Sequence, residues 1–216
     1  MVATYRNTAL FFSLILVFVF AAFFKTYFGL FPHFKDTTLL VHAHVAVLLL
    51  WFAMLIIQPI LIGIRQIKLH RLVGKASYVL VPLVVISLVS MTRNQQMREK
   101  DLAVFTIKIF DVSMYLLFYA LAIIYKHKIS WHTRFMILTA IPFLGASSAR
   151  LDFPGIIIQV AIIMGLLLLE FFKGKIFKPY IIGLLSFTTL FILLAGLFFM
   201  KPETLDSLWE VFFSQG

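Results

Sequence analysis

His70 and His132 are the residues whose type and placement point most directly to chemistry. Arg71 follows the first histidine, Arg134 lies two residues after the second, and both segments adjoin long apolar runs. Two imidazoles at equal depth on different helices can ligate one haem iron axially, and guanidinium groups suit the carboxylates of haem propionates. We therefore predict that this set binds b-type haem or contacts a quinone. The alternative is two interfacial histidines in basic loops beside lipid headgroups.

His44, Trp51 and Gln58 form a second set, because they are spaced seven residues apart within one apolar run. Seven residues turn an α-helix by about 700°, so the three side chains fall within roughly 40° of one another on one face. That face carries a titratable ring, an indole and an amide, and we expect it to point into a bundle of helices. It is either a functional site or a polar stripe that joins helices by hydrogen bonds.

Lys108 and Asp111 lie three residues apart inside another apolar run, where a charged group is costly unless it is paired or faces water. At this spacing the two can pair with each other on one helix. The alternative is that Asp111 faces His44 or Arg150 across the bundle. His44 and Asp111 are also candidate ligands for a metal ion, although a catalytic zinc usually takes three protein ligands.

The composition shows what kind of element must position these residues. Of the 216 residues, 62% are hydrophobic and only 13% are charged, whereas a soluble domain is nearer half apolar and a quarter charged. The mean hydropathy is +1.02. Cysteine is absent, which excludes disulfides and thiolate metal sites. The sequence therefore predicts an all-α integral membrane bundle, since lipid is the solvent that suits so much apolar surface.

Seven apolar runs are close to the length of about 20 residues that a spanning helix needs. The connections are short, so the sequence predicts one transmembrane helical domain over residues 1–216. Leu205, Leu208, Trp209 and Phe212 recur at helical spacing after the last run, which predicts a short amphipathic helix near 204–213 on the membrane surface. The predicted spans are Ala9–Leu30, Thr38–Ile64, Ala76–Met91, Leu102–Tyr125, Trp131–Ser148, Pro154–Phe172 and Tyr180–Met200.

The formal net charge of +10 reflects lysines and arginines placed between the apolar runs. With the N-terminus assigned to the cytoplasm, 11 of them fall on the inner side and seven on the outer side, and Lys108 lies within a span. By the positive-inside rule this asymmetry predicts a cytoplasmic N-terminus and an external C-terminus. No basic patch with interleaved aromatics is present, so we expect no nucleic-acid partner.

The order of these motifs resembles a family of predicted multi-pass bacterial membrane proteins classed as a domain of unknown function. The resemblance covers roughly residues 41–151. It implies a helical membrane fold in the cytoplasmic membrane and a set of residues that act together, but no particular activity. The matching residues are His44 with Trp51 and Gln58, then His70 and Arg71 with Gly74 in a His-Arg-x-x-Gly loop, then His132, Arg134 and Met136 in a His-x-Arg-x-Met loop, and finally Arg150.

Three functions remain open from the sequence. The first is a membrane redox protein that uses haem or a quinone through His70 and His132. The second is a metal-dependent membrane enzyme that acts on lipid through His44 and Asp111. The third is a non-catalytic accessory subunit that docks onto other subunits of a larger membrane complex through its apolar exterior. Membrane lipids are expected partners in all three.

Overall fold

The computed structural model describes residues 2–174 and 178–213, with side chains at 5–174 and 178–211. All regular structure within these ranges is helical. A 3-10 turn spans Phe28–Leu30 between the first two α-helices. The α-helices are α1 (Val2–Ala22), α2 (Leu39–Gly63), α3 (Ile67–Arg98), α4 (Leu102–Ile124), α5 (Ile129–Leu138), α6 (Phe143–Ala149), α7 (Gly155–Phe172), α8 (Lys178–Met200) and α9 (Pro202–Phe213).

Six of these helices are long and apolar enough to cross a membrane, namely α1, α2, α3, α4, α7 and α8. Their most apolar windows have mean hydropathies of 1.7 to 2.6, yet no more than 28% of any window is buried inside the protein. So much exposed apolar surface is stable only against lipid. The chain is therefore an all-helical, multi-pass membrane protein, as the composition predicts.

The predicted fifth span, Trp131–Ser148, is interrupted, so the prediction of seven spanning helices is not confirmed. The segment forms α5 and α6, each too short to span by itself, with residues 139–142 between them. Pro142 supplies the physical reason, because a proline has no N–H and its ring clashes with the carbonyl four residues earlier. That carbonyl belongs to Leu138, where α5 ends.

Two motifs that the resemblance describes as loops are helical, although the predicted fifth span Trp131–Ser148 had already placed the second of them in a helix. His70, Arg71 and Gly74 lie in the first two turns of α3, which begins at Ile67 rather than at the predicted Ala76. His132 and Arg134 lie in α5. These helices therefore include polar residues beyond their apolar stretches.

The first span also differs from its prediction, because α1 covers Val2–Ala22 and not Ala9–Leu30. Turns and the 3-10 turn follow it. Here the hydrogen bond from Gly29 N–H to the Phe24 carbonyl is 2.7 Å long. A Cβ at Gly29 would lie 2.9 Å from that carbonyl oxygen, so the turn requires glycine.

The chain divides into two compact units. Unit 1 comprises Met1–Met91 and Ser147–Asp152, and unit 2 comprises Thr92–Ala146 and Phe153–Gly216. Side chains that are almost wholly buried form the core of each unit. In unit 1 they include Phe12, Trp51, Phe52, Leu55 and Val84, and in unit 2 they include Tyr115, Phe118, Phe135, Leu138, Ile141 and Phe187.

Helix α9 packs against the junction of α3 and α4 within unit 2. Leu205 is fully buried, and the Trp209 indole donates to Oε1 of Gln96 at 3.2 Å. Lys100 pairs with Asp206 at 2.6 Å. The structure thus has a helix at Pro202–Phe213, while its position on the membrane surface stays a prediction and the Phe212 side chain lies outside the described ones.

Candidate functional site

His132 in unit 2 has its ring held in place by the end of the preceding helix. Its Nδ1 lies 2.8 Å from the carbonyl oxygen of Ala122, one of the last four carbonyls of α4, which have no partner within their own helix. A carbonyl only accepts, so Nδ1 carries the proton and donates. In the neutral ring Nε2 then carries the lone pair.

Arg134 lies two residues after His132 on α5 and forms an ion pair with a glutamate. Its Nε donates to Oε1 of Glu170 on α7, and its Nη1 donates to the Ser130 carbonyl at 2.8 Å. The guanidinium carbon also lies 5.7 Å from the centre of the Tyr180 ring on α8. This buried ion pair joins three helices of unit 2.

Asp111 and Gln159 form a second buried polar contact in unit 2, between α4 and α7. Nε2 of Gln159 donates to Oδ1 of Asp111 at 2.9 Å, and it lies 3.2 Å from the Pro142 carbonyl and 3.5 Å from the Ile141 carbonyl. Those carbonyls belong to the break between α5 and α6. Gln159 therefore ties the break to the carboxylate of α4.

Two glycines allow this close approach. A Cβ built on Gly145 would lie 2.7 Å from Oδ2 of Asp111 and 2.8 Å from Nε2 of Gln159. A Cβ built on Gly155 would lie 2.7 Å from the Cα of Gly145. Real Cβ atoms do not approach so closely, so both positions require glycine.

In unit 1, His44 links α2 to α3. Its Nδ1 lies 3.1 Å from Oγ of Ser87, and that hydroxyl donates its only proton to the Val84 carbonyl at 2.8 Å. Ser87 must then accept from His44, which fixes the proton on Nδ1. His42, two residues earlier, meets the Tyr27 hydroxyl at 2.8 Å, as expected for a side chain on another face of α2.

The predicted stripe on α2 meets α3 at both of its ends. Trp51 is fully buried, and Nε2 of Gln58 donates to the backbone carbonyl of His70 at 3.2 Å. Oε1 of Gln58 is buried and has no hydrogen-bond partner within the described ranges. The stripe therefore joins two helices, in keeping with its predicted face.

Arg71 and Arg150 are exposed residues of unit 1. Arg71 stands in the second turn of α3. Arg150 follows the end of α6, and its guanidinium carbon lies 5.2 Å from the centre of the Phe23 ring. Neither guanidinium forms an ion pair with the described residues, so both present a cation at the surface.

The predicted ligand pairs are divided between the units. His70 and His44 belong to unit 1, whereas His132 and Asp111 belong to unit 2. Among the described residues, no group of three or more histidine, cysteine or acidic side chains is arranged to hold a metal ion. The haem ligand pair and the metal pair therefore stay predictions.

Sequence reasoning missed Gln159 and Glu170, the partners of Asp111 and Arg134. Both lie in the predicted span Pro154–Phe172, and the rule that selected Asp111 could have selected them, since a polar group within a span marks a candidate site. Ser87 could not be found in this way, because a hydroxyl in an apolar helix usually bonds to its own backbone.

No family model, no curated protein and no solved structure matches this chain. The resemblance to a family of multi-pass bacterial membrane proteins therefore gains no support from these comparisons. A bacterial origin stays a prediction. What can be argued about function rests on the chain's own residues.

Proposed function

We propose that this chain is a membrane redox protein in which His132 ligates the iron of b-type haem or hydrogen bonds to a quinol. The anchored ring of His132 carries the proposal. Its Nδ1–H donates to the Ala122 carbonyl, which leaves Nε2 with the lone pair. Histidines that bind metals almost always donate their other ring N–H to a carbonyl, carboxylate or water. A quinol hydroxyl can donate to the same nitrogen.

The fit to haem differs among the predicted residues. His132 has the anchored ring that a haem ligand needs, while His70 stays a second ligand by prediction from the sequence alone. Arg134 is neutralised by Glu170, so Arg71, whose side chain is exposed, is the better candidate for a propionate. When bound, haem would supply one-electron transfer, while the chain would fix the imidazole and balance the propionate charge.

The topology belongs to the same proposal. We infer that α5 and α6 together make a seventh, discontinuous crossing, which places the N-terminus in the cytoplasm and the C-terminus outside. A broken helix is tolerated at membrane depth where protein groups satisfy its backbone, and the Pro142 carbonyl accepts from the Gly145 N–H group and from Nε2 of Gln159. The cytoplasmic membrane is the proposed location.

Single cysteines can test this topology, because the chain has no cysteine of its own. Lys126→Cys and Leu151→Cys lie at exposed positions on either side of α5 and α6. We expect a membrane-impermeant maleimide to label Leu151→Cys in intact cells and Lys126→Cys only after lysis. Labelling of both from the same side would show that α5 and α6 do not cross.

The redox proposal is tested by the visible spectrum of the detergent-purified protein before and after dithionite. We expect a Soret band, with α and β bands that sharpen on reduction. His132→Ala and His70→Ala should each abolish or shift these bands. His127→Ala is the matched control, because His127 is exposed and lies five residues before His132. If both ligand variants keep the parent spectrum, the ligand assignment is wrong.

A flat spectrum would leave the quinol form of the proposal, which quinol-dependent redox assays in proteoliposomes can test. If these assays are also negative, the redox proposal fails. A non-catalytic function as an accessory subunit would then be favoured, and co-purification of a defined complex from native membranes would support it. The metal-dependent lipid enzyme would require stoichiometric metal in elemental analysis.

A further inference from the structure

We propose that one end of unit 2 binds the phosphate headgroup of anionic phospholipids. The site does not use the His132 ring, haem or a quinol, and so it stands apart from the redox proposal. Four exposed lysines form it, and we call them the basic end of unit 2. They are Lys126, Lys128, Lys173 and Lys178.

Contacts around α5 bring these lysines to the same end of the unit. The Arg134 side chain on α5 donates to Glu170 in the last turn of α7, and its guanidinium carbon lies 5.7 Å from the centre of the Tyr180 ring in the first turn of α8. Lys173 follows Glu170 by three residues, and Lys178 precedes Tyr180 by two. The other two lysines lie in the turn between α4 and α5.

Within the described residues of unit 2, acidic side chains do not neutralise this end. The chain has no aspartate or glutamate from residue 112 to residue 151, and Glu170 is the only one from residue 153 to residue 202. Glu170 already pairs with Arg134. On α4 the nearest acidic residue is Asp111, which lies about 20 Å from the end of that helix at 1.5 Å per residue. The excess of cations attracts an anionic partner.

Lys128 is held in place without being neutralised. Its Nζ lies 5.6 Å from the centre of the Tyr125 ring and 5.5 Å from that of the Trp131 ring, and the two ring centres are 4.5 Å apart. The face of an aromatic ring attracts a cation but has no net charge, so the ammonium group keeps its charge for a further partner. Tyrosine and tryptophan are also enriched at the depth of the lipid headgroups, and a phosphate lies at that depth.

The apolar neighbours of the lysines favour a lipid over a nucleic acid or an acidic peptide. Ile124 and Ile129 flank the turn between α4 and α5, and each is 68% exposed. Phe172, next to Lys173, is 80% exposed. A phospholipid offers acyl chains to these side chains and a phosphate to the lysines. Lysines directly beyond a spanning helix attract anionic lipids in this way.

Native mass spectrometry of the full chain in detergent micelles tests the proposal. Phosphatidylglycerol and phosphatidylcholine with identical acyl chains are added in equal amounts, so that only the headgroup differs. We expect the parent protein to retain phosphatidylglycerol under collisional activation that removes phosphatidylcholine, and this preference should weaken as the ionic strength is raised. Equal retention of the two lipids would overturn the proposal. This result comes from the parent protein and does not depend on whether a variant folds.

Variants locate the site. Lys128→Gln should lower the affinity for phosphatidylglycerol about fivefold, the contribution expected of one lysine beside an anionic lipid, and Lys126→Gln combined with it should lower the affinity further. Lys25→Gln with Lys35→Gln is the matched control, because it removes the same charge at exposed positions of unit 1. The control should keep the preference. Equal losses in the two double variants would show that net charge sets the preference, and would overturn the assignment to these lysines.

Excess inorganic phosphate distinguishes a lipid headgroup from a free anion. Inorganic phosphate has no acyl chain to place against the exposed isoleucines, so we expect phosphatidylglycerol to stay bound in its presence. Displacement of the lipid by inorganic phosphate would show that the lysines bind a free anion, and would overturn the proposal of a lipid site.

Discussion

Unit 2 contains two carboxylates within spanning helices, and they differ in the side chain that hydrogen bonds to them. Glu170 on α7 meets the guanidinium of Arg134, whose charge is permanent. Asp111 on α4 meets the amide of Gln159, which has no charge. The first carboxylate is therefore a fixed link between α5 and α7. The second accepts a hydrogen bond from a neutral side chain, and this difference separates an ion pair from a single hydrogen bond to a carboxylate.

The largest effect should come from removing the cation of the fixed pair. Arg134→Gln leaves Glu170 buried without a counter-charge, and breaking a buried ion pair costs about 3–5 kcal/mol. Unfolding in mixed detergent micelles, followed by tryptophan fluorescence, measures this loss. Arg98→Gln at an exposed position is the control and should change stability little.

The double variant Arg134→Gln with Glu170→Gln sharpens this result. It removes both charges, so it should recover more than half of the lost stability, because the uncompensated charge causes most of the cost. Equal losses in the single and double variants would mean that packing, and not charge, is what the pair supplies.

The next largest effect should come from closing the space between Asp111 and Gln159. In Gly145→Ala the new Cβ would lie less than 3 Å from both groups, so overpacking should cost about 1–3 kcal/mol. Gly165→Ala on α7 is a matched control, since no neighbour lies within 4 Å. It should stabilise the protein by about 0.5–1 kcal/mol. Equal changes in stability for the two variants would contradict the close approach of Gly145 to Asp111 and Gln159.

Much of the fold follows from the sequence, because spanning helices are set by the length of apolar runs. The all-helical membrane fold and the approximate positions of six spans were predictable for that reason. The break between α5 and α6 was missed because hydropathy averages over Pro142, whose effect is steric and local. The helical extension of α3 was missed because polar residues were read as loop.

Single residues of the candidate site were predictable from the sequence, but the partners that they contact were not. Asp111, His132 and Arg134 stand out because polar groups are costly within or beside a span. Their partners are distant in sequence; Gln159 lies 48 residues after Asp111. Such a pair depends on how α4 and α7 pack, which no spacing along the chain reveals.

A smaller effect is expected from removing the amide. Gln159→Leu removes the N–H group that donates to Asp111, and a buried acceptor that loses its donor costs about 1–3 kcal/mol. The Pro142 and Ile141 carbonyls keep backbone donors but lose their link to α7. Gln95→Leu on α3, at an exposed position, is the control and should lie within about 0.5 kcal/mol of the parent. A cost no larger than that of the control would show that Gln159 does not hold the break.

The smallest effect should come from Asp111→Asn, and it tests the comparison most directly. The asparagine has nearly the shape of the aspartate, and its side-chain N–H group can donate to Oε1 of Gln159, which has no donor among the described residues. We therefore expect a change below about 1 kcal/mol in the same micelle unfolding assay near neutral pH. The matched substitution Glu170→Gln should cost about 3 kcal/mol, because it leaves the Arg134 cation without its counter-charge. Equal costs for the two substitutions would mean that a charge on Asp111 stabilises the fold as much as the charge on Glu170, and the distinction between the two carboxylates would then be lost.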